Sequence, residues 1–182
     1  MRAARLVVLL GKPGSGKDTQ AEMLQSQLNY KLIKTGRFVR ELSLVSTKVA
    51  QTLEQGGLVD NTLVNKHVAS ELKKSNFTGN ILTDGYPRDL SQAQWFDKFL
   101  DSQEMAVDHV ILLDIPDRLA TTRLLARRRQ DDQIKIIQNR FKIYRTTTQK
   151  VVDYYLDQGK LIKIDATGSP VDINRNIKKV IA

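Results

Sequence analysis

The sequence predicts an α/β fold in which five parallel strands form one sheet flanked by helices. Short runs of Val, Ile and Leu alternate along the chain with longer amphipathic segments, the order expected of strand–helix crossovers. These runs lack the polar alternation of a half-exposed strand, so helices should cover both faces of the sheet. A chain of 182 residues suits one such domain.

The elements follow from this alternation in chain order. Right-handed crossovers allow all the strands to lie parallel in one sheet. The predicted strands are Arg5–Leu10, Lys31–Ile33, Asn80–Thr83, His109–Ile115 and Leu161–Asp165. The predicted helices are Lys17–Leu28, Asp117–Arg129, Gln133–Asp157 and Val171–Ala182, with prolines before two of them and Gly159 after a third.

Residues 35–65 interrupt the alternation, because they are polar and helical in pattern and contain no strand. They predict a small helical insertion into the sheet domain. Such an insertion is either an oversized crossover or a flap that binds substrate.

Composition narrows the classes of function. The absence of cysteine excludes disulfides, cysteine-ligated zinc and a cysteine nucleophile. The apolar run Leu6–Leu10 is too short for a signal peptide, and no other segment approaches a membrane span. We therefore expect a cytoplasmic protein without membrane association.

The net charge of +9 favours an anionic ligand, which could be nucleic acid, an acidic surface or a phosphorylated small molecule. The arginine run 127–129 has no interleaved aromatic residues, and only 6% of the chain is aromatic. Base stacking therefore has little support, and we expect no nucleic-acid partner.

The segment Gly11–Thr19 has the G-x-x-x-x-G-K spacing of a phosphate-binding loop, between a predicted strand and a predicted helix. Glycines let backbone N–H groups converge, the helix N-terminus adds partial positive charge, and Lys17 reaches the β- and γ-phosphates. The loop therefore predicts binding of a nucleoside triphosphate. The expected contacts are Gly11, Pro13, Gly14, Ser15, Gly16, Lys17, Asp18 and Thr19.

Asp18 departs from the general pattern, which has a metal-binding Ser or Thr after the lysine; the hydroxyl comes one residue later, at Thr19. A carboxylate ~4 Å from a phosphate charge costs about 4 kcal/mol at an effective dielectric of about 20. Asp18 should therefore point outward, pair with a cation or help to hold the metal, and we favour the first.

A set of polar residues follows the third predicted strand. It lies in the segment from Asp84 to Arg88, with Gln92 beyond it. The carboxyl end of a strand is where α/β sheets bind ligands. Asp84 could hold Mg²⁺ through water, and Arg88 could bind a second phosphate with its planar guanidinium. A polar strand end with a turn proline is the structural alternative.

The chain resembles the adenylate kinase family of nucleoside monophosphate kinases over nearly its whole length. The resemblance implies the P-loop NTPase fold, with ATP and Mg²⁺ on the donor side. The matching segments are Gly11–Gln20 (G-x-P-G-x-G-K-G-T-Q in the family), Thr35-Gly36 with Arg40 (T-G-D-x-x-R), Gly57–Val59 (G-x-L-V), and Asp84–Arg88 with Gln92 (D-G-[FY]-P-R-x-x-x-Q).

The resemblance assigns the acceptor site to these residues. Arg40 and Arg88 would hold the phosphate of the monophosphate, while Thr35 and Gln92 would meet its base. Family members that act on UMP or CMP carry Ala and Asn at the latter two positions, so Thr and Gln indicate AMP. The expected acceptor residues are Thr35, Gly36, Arg40, Val59, Gly85, Arg88 and Gln92. Arg37 and the pair Asp60-Asn61 depart from the family pattern, which has Asp and Pro-Asp there.

Four arginines match the family motifs on either side of its lid segment. By resemblance, Arg123 would stack on the donor adenine, and the loop at Gly168 would lie against that base. Arg127, Arg129 and Arg140 would surround the phosphoryl group in transfer. The two motifs nearly adjoin here, which predicts only a remnant lid at residues 127–132.

The sequence thus predicts a Mg²⁺-dependent kinase that converts ATP and AMP reversibly to two ADP, with its oligomeric state left open. The predicted catalytic residues are Lys17, Arg88, Arg127, Arg129 and Arg140. The alternatives are a UMP/CMP kinase and, more distantly, a P-loop protein that is not a kinase. A GTPase would need N-K-x-D, but Asn65-Lys66 is followed by His67-Val68.

Overall fold

The fold is a five-stranded parallel sheet with helices on both faces, as the sequence predicts. The structure is a computed structural model that describes residues 5–76, 78–129 and 131–181. The strands are β1 (Leu6–Leu10), β2 (Lys31–Lys34), β3 (Ile81–Asp84), β4 (His109–Asp114) and β5 (Leu161–Asp165). They are ordered β2-β3-β1-β4-β5, and Leu9 of β1 pairs with Asp84 of β3.

The helices include all four predicted regions and add others. None of the described helices is long and apolar enough to cross a membrane. Their bounds are α1 (Lys17–Leu28), α2 (Thr35–Ser43), α3 (Thr47–Glu54), α4 (Asn61–Lys74), α5 (Leu90–Asp101), α6 (Asp117–Arg127), α7 (Ile134–Ile143), α8 (Gln149–Asp157) and α9 (Pro170–Ile181), with a π-helical turn at Tyr144–Thr148 between α7 and α8.

Side chains of β1 alternate between two cores, one on each face of the sheet. Val7 and Leu9 face the core formed with α1, α6, α7 and α9. Leu6, Val8 and Leu10 face the core formed with α4, α5 and α8. Because both faces are covered, the strands are continuously apolar, and the ends of β1 and β3 remain the place for polar groups.

Two of the predicted helices differ from the observed ones. Helix α6 ends at Arg127 rather than Arg129, because Arg128 takes a left-handed conformation (φ 58°) that an α-helix cannot continue. The predicted helix 133–157 is interrupted by the π turn. The C-terminal helix was predicted to include Ala182, which lies outside the described residues.

The predicted insertion, residues 35–65, contains α2, α3 and the start of α4, which continues to Lys74. Helix α5 was missed. Its N-terminus is capped by the Asp89 carboxylate, which accepts a hydrogen bond from Gln92 N at 2.9 Å, and its buried Ala93, Phe96 and Leu100 have helical spacing.

Candidate active site

The loop between β1 and α1 is closed so tightly that two of its glycines admit no side chain. A Cβ on Gly11 (φ 148°) would lie 2.6 Å from Ser15 Oγ, and one on Gly14 (φ 83°) would lie 2.5 Å from the carbonyl oxygen of Ala120. Ser15 Oγ is buried and has no hydrogen-bond partner among the described residues. A tight glycine loop with an unpaired hydroxyl suits a phosphate ligand.

Lys17 turns back over this loop. Its Nζ donates hydrogen bonds to the carbonyl oxygens of Gly11 at 2.7 Å and Lys12 at 3.3 Å. Burial lowers the pKa of Lys17 to about 8, against the opposing effect of Asp84 and Asp18. A buried ammonium whose partners in the described chain are carbonyl oxygens is well suited to exchange them for a phosphate oxygen.

Asp18 has a cation partner, although its side chain is also 47% exposed. Its Oδ2 accepts a hydrogen bond from Arg129 Nη2 at 3.1 Å, and burial of the carboxyl, which raises its pKa, is outweighed by Lys17 and Arg129, which lower it. Pairing with a cation, the second alternative, is therefore what the structure contains. The neighbouring Thr19 is exposed.

Two aspartates hold the other arginines of the cluster. Arg127 forms a bidentate pair with the buried Asp132, at 2.7 and 2.9 Å, and the same carboxylate accepts from Arg129 N at 3.1 Å. Arg140 Nη1 donates to Asp131 Oδ2 at 2.9 Å. The predicted cluster is therefore brought together. The remnant lid predicted at 127–132 includes Gln130, which lies outside the described residues.

Arg123 and the loop after β5 also lie together. The Arg123 guanidinium donates to the carbonyl oxygens of Ala166 at 2.9 Å and of Thr167 and Gly168 at 3.3 Å each. The side chain thus fixes the loop that was expected to lie against the donor base.

On the opposite side of the cleft, Arg40 and Arg88 approach two glycines. A Cβ on Gly36 would lie 3.4 Å from Arg40 Nη1 and 3.7 Å from Arg88 Nη2. Arg88 Nε donates to the Gly85 carbonyl at 2.8 Å, and Gly85 has a left-handed φ of 76°. Neither arginine has a carboxylate within ion-pair distance in the described ranges. Burial lowers the pKa of both arginines, but both remain protonated.

The predicted base-contacting residues lie beside these arginines. Their polar atoms are already hydrogen-bonded to other groups of the protein. Gln92 Oε1 accepts from Arg88 N at 2.7 Å, and its Nε2 donates to Asn61 Oδ1 at 2.7 Å. Thr35 Oγ1 donates to the carbonyl oxygen of Gly85 at 2.8 Å. Val59 is buried, and it lies two residues before the start of α4.

Comparison with known proteins decides the family. The sequence profile described as adenylate kinase matches residues 9–160. The chain belongs to the adenylate kinase family. It is 39% identical over 180 residues to the adenylate kinase of Prochlorococcus marinus subsp. pastoris, covering 97% of each chain. It is 36% identical to that of Parasynechococcus marenigrum (97% and 98% covered) and 31% identical to that of Methanothrix thermoacetophila (97% and 98%).

Asp84 lies at the end of β3 in a position suited to the Mg²⁺ chemistry expected of an adenylate kinase family member. Burial raises the pKa of this carboxyl to about 6, with Lys17 opposing the shift. Its oxygens accept no hydrogen bond from described residues, so they are available to water. No group of three or more potential metal ligands occurs in the described part of the chain.

The sequence analysis missed the polar side chains of the π turn. Thr148 Oγ1 donates to the Arg88 carbonyl at 2.8 Å, and Arg145 pairs with Asp117, which also accepts from Lys12 Nζ at 2.6 Å. The turn therefore contacts the acceptor arginine directly and is linked to the phosphate-binding loop through Asp117. Helical periodicity does not reveal a π turn, so the sequence carried no usable signal for these contacts.

Proposed function

We propose that this protein transfers the γ-phosphoryl group of ATP to AMP, giving two ADP in a reversible reaction. Membership in the adenylate kinase family supports the reaction. The observation that carries it is the contact between Asp18, next to Lys17, and Arg129 of the arginine cluster at 3.1 Å; Arg88 and Arg140 also lie close enough to Lys17 to affect its pKa. The phosphate loop, the acceptor arginine and the arginine cluster therefore act on one cleft.

On the donor side, the backbone from Gly11 to Thr19 would hold the ATP phosphates, and Lys17 would exchange its carbonyl partners for the β- and γ-phosphates. Arg123 would stack on the adenine, with the Gly168 loop against it. Since Arg123 already bonds that loop, one residue would shape both sides of the base site.

On the acceptor side, Arg40 and Arg88 would bind the phosphate of AMP, with Gly36 and Gly85 leaving space for it. Gln92 and Thr35 would meet the adenine, together with the backbone at Val59. The Gln92 amide would first have to release Arg88 N or Asn61, so AMP binding should rearrange this corner of the site.

Asp84 would hold Mg²⁺ through water, a role supported by its free carboxylate oxygens. The ion, when bound, neutralises charge on the β- and γ-phosphates. Arg127, Arg129 and Arg140 would surround the transferred group. Phosphoryl transfer needs alignment and charge stabilisation rather than covalent chemistry, and this cluster offers both. We also propose a cytoplasmic location, in keeping with the cysteine-free sequence.

A coupled assay of ADP formation from ATP with AMP, UMP or CMP tests this function. AMP should be the best acceptor, and Lys17→Ala and Arg88→Ala should each reduce kcat/KM strongly. A better rate with UMP or CMP would overturn the base assignment to Thr35 and Gln92. Full activity of both variants would overturn the site itself. The comparisons do not favour the UMP/CMP alternative.

A further inference from the structure

The carboxylate of Asp18 joins two distant segments of the site. It lies in the first turn of α1, at a position where the family loop pattern has glycine, and it accepts from Arg129 Nη2 at 3.1 Å across 111 residues of sequence. No other described residue bonds the Arg129 guanidinium. Among the described residues, Asp18 is therefore the polar partner that holds this side chain.

The other two arginines of the cluster are held differently. Arg127 is fixed by Asp132 and Arg140 by Asp131, so their partners belong to the short segment between α6 and α7. Arg129 is the member of the cluster whose side chain is held by the phosphate-binding loop region. Its position therefore depends on the donor side of the cleft.

We infer that Asp18 is a positioning residue for phosphoryl transfer, holding one edge of the Arg129 guanidinium over the first turn of α1. A guanidinium has five N–H donors in a planar fork, and a single one of them bonds a described residue. The remaining donors are free to bind the transferred group. This inference rests on the proposed function, in which Arg129 contacts that group.

The negative charge of Asp18, which is unfavourable beside a phosphate, is compensated in this arrangement. Arg129 and Lys17 both oppose the negative charge of Asp18. The alternative role is that of a competitor, in which the carboxylate occupies Arg129 and must be displaced by phosphate. The two roles predict opposite effects on turnover, because removal of a competitor accelerates the reaction and removal of a positioning group slows it.

Steady-state kinetics of Asp18→Asn, Arg129→Met and the double variant separate these roles. Asp18→Asn should lower kcat about fivefold, the size expected when a partly exposed ion pair of about 1 kcal/mol is lost. The KM for AMP should not change, because the missing interaction acts in the transition state. In the Arg129→Met background, Asp18→Asn should have no further effect, and Asp18→Glu should retain more activity than Asp18→Asn.

Glu22→Gln is the matched control. Glu22 also lies on α1 and also pairs with a cation, Lys34, at 2.7 Å, but it lies outside the cleft residues described above. This variant should keep the parent kcat. A kcat for Asp18→Asn equal to or above that of the parent, or losses that multiply in the double variant, would overturn the inference.

NMR of the arginine side chains, without nucleotide, tests the contact independently of activity. The Nη–H signals of Arg129, assigned by their loss in Arg129→Met, should exchange faster with water in Asp18→Asn than in the parent and in Glu22→Gln, because Nη2 is the donor to Asp18. An unchanged signal overturns the inference even in an active enzyme. A parent protein that does not phosphorylate AMP overturns the proposed function instead.

Discussion

The cleft contains two groups of arginines in different electrostatic states. Arg40 and Arg88, on the acceptor side, have no carboxylate partner in the described ranges, and burial lowers the pKa of each. Arg127, Arg129 and Arg140 each pair with an aspartate at 2.7 to 3.1 Å. One residue type therefore occurs both as an unneutralised cation and as a cation fixed in a carboxylate network.

This difference indicates a division of labour. An unneutralised cation gains a partner when an anion arrives, so Arg40 and Arg88 should contribute mostly to binding. Arginines that are already paired gain less from the ground-state anion, but their geometry is set in advance. They should contribute mostly to the rate of transfer.

The largest expected effect comes from removal of an unneutralised arginine. Arg88→Met should reduce kcat/KM for AMP by about a hundredfold to a thousandfold, because a charged phosphate contact is lost in a desolvated site. Arg37→Met is the control, since Arg37 lies on the same insertion, is exposed and pairs with Glu41. If the two variants have similar kcat/KM, Arg88 does not bind the acceptor.

Removal of a paired arginine should instead reduce stability. Arg127→Met leaves the buried Asp132 with only the backbone N–H of Arg129 and a 3.8 Å contact to Arg140. We expect a loss of about 2–3 kcal/mol in the free energy of unfolding, measured with urea. Asp132→Asn in the same chain should recover part of it. Arg88→Met should leave stability nearly unchanged, and an equal loss there would contradict the comparison.

The pH dependence of ATP binding provides a smaller test, because Lys17 resembles the unneutralised arginines. Its pKa of about 8 means that the free protein loses this charge as pH rises through 8. Affinity for ATP should therefore be full below about pH 7 and fall by up to about tenfold per pH unit above pH 8. Calorimetric titration from pH 6.5 to 9.5 measures this, and constant affinity would show that Lys17 does not bind phosphate.

The smallest effect concerns the support of Arg88. Thr148→Val removes the hydrogen bond from Oγ1 to the Arg88 carbonyl while keeping the shape of the side chain. The KM for AMP should rise by about fivefold, equivalent to about 1 kcal/mol for one lost hydrogen bond. Thr148→Ser, which keeps the hydroxyl, should behave like the parent. A serine variant as impaired as the valine variant would mean that packing matters here rather than the hydroxyl.

Local patterns predicted the sheet and the phosphate loop, whereas contacts between distant segments were not predictable. The strands were visible because buried parallel strands are continuously apolar, and the loop because its glycines have a fixed spacing. The pair between Asp18 and Arg129 depends on the fold, so the sequence left three alternatives open for Asp18 and could not identify this partner. The hydrogen bonds of Gln92 to Arg88 and Asn61 were likewise not predictable from the sequence, since an amide can donate to or accept from many different groups.

The π turn restricts insertions and deletions between α7 and α8. Before the turn, Ile137 and Phe141 pack on one face of the sheet; after it, Val151 and Tyr155 pack on the other. Each residue of a helix turns the chain by about 100°, so deleting one residue from this turn would rotate all of α8 by that angle. Tyr155 would then leave Asp97, its hydrogen-bond partner at 3.1 Å. The number of residues between Phe141 and Val151 is therefore fixed by the two faces of the sheet on which α7 and α8 pack.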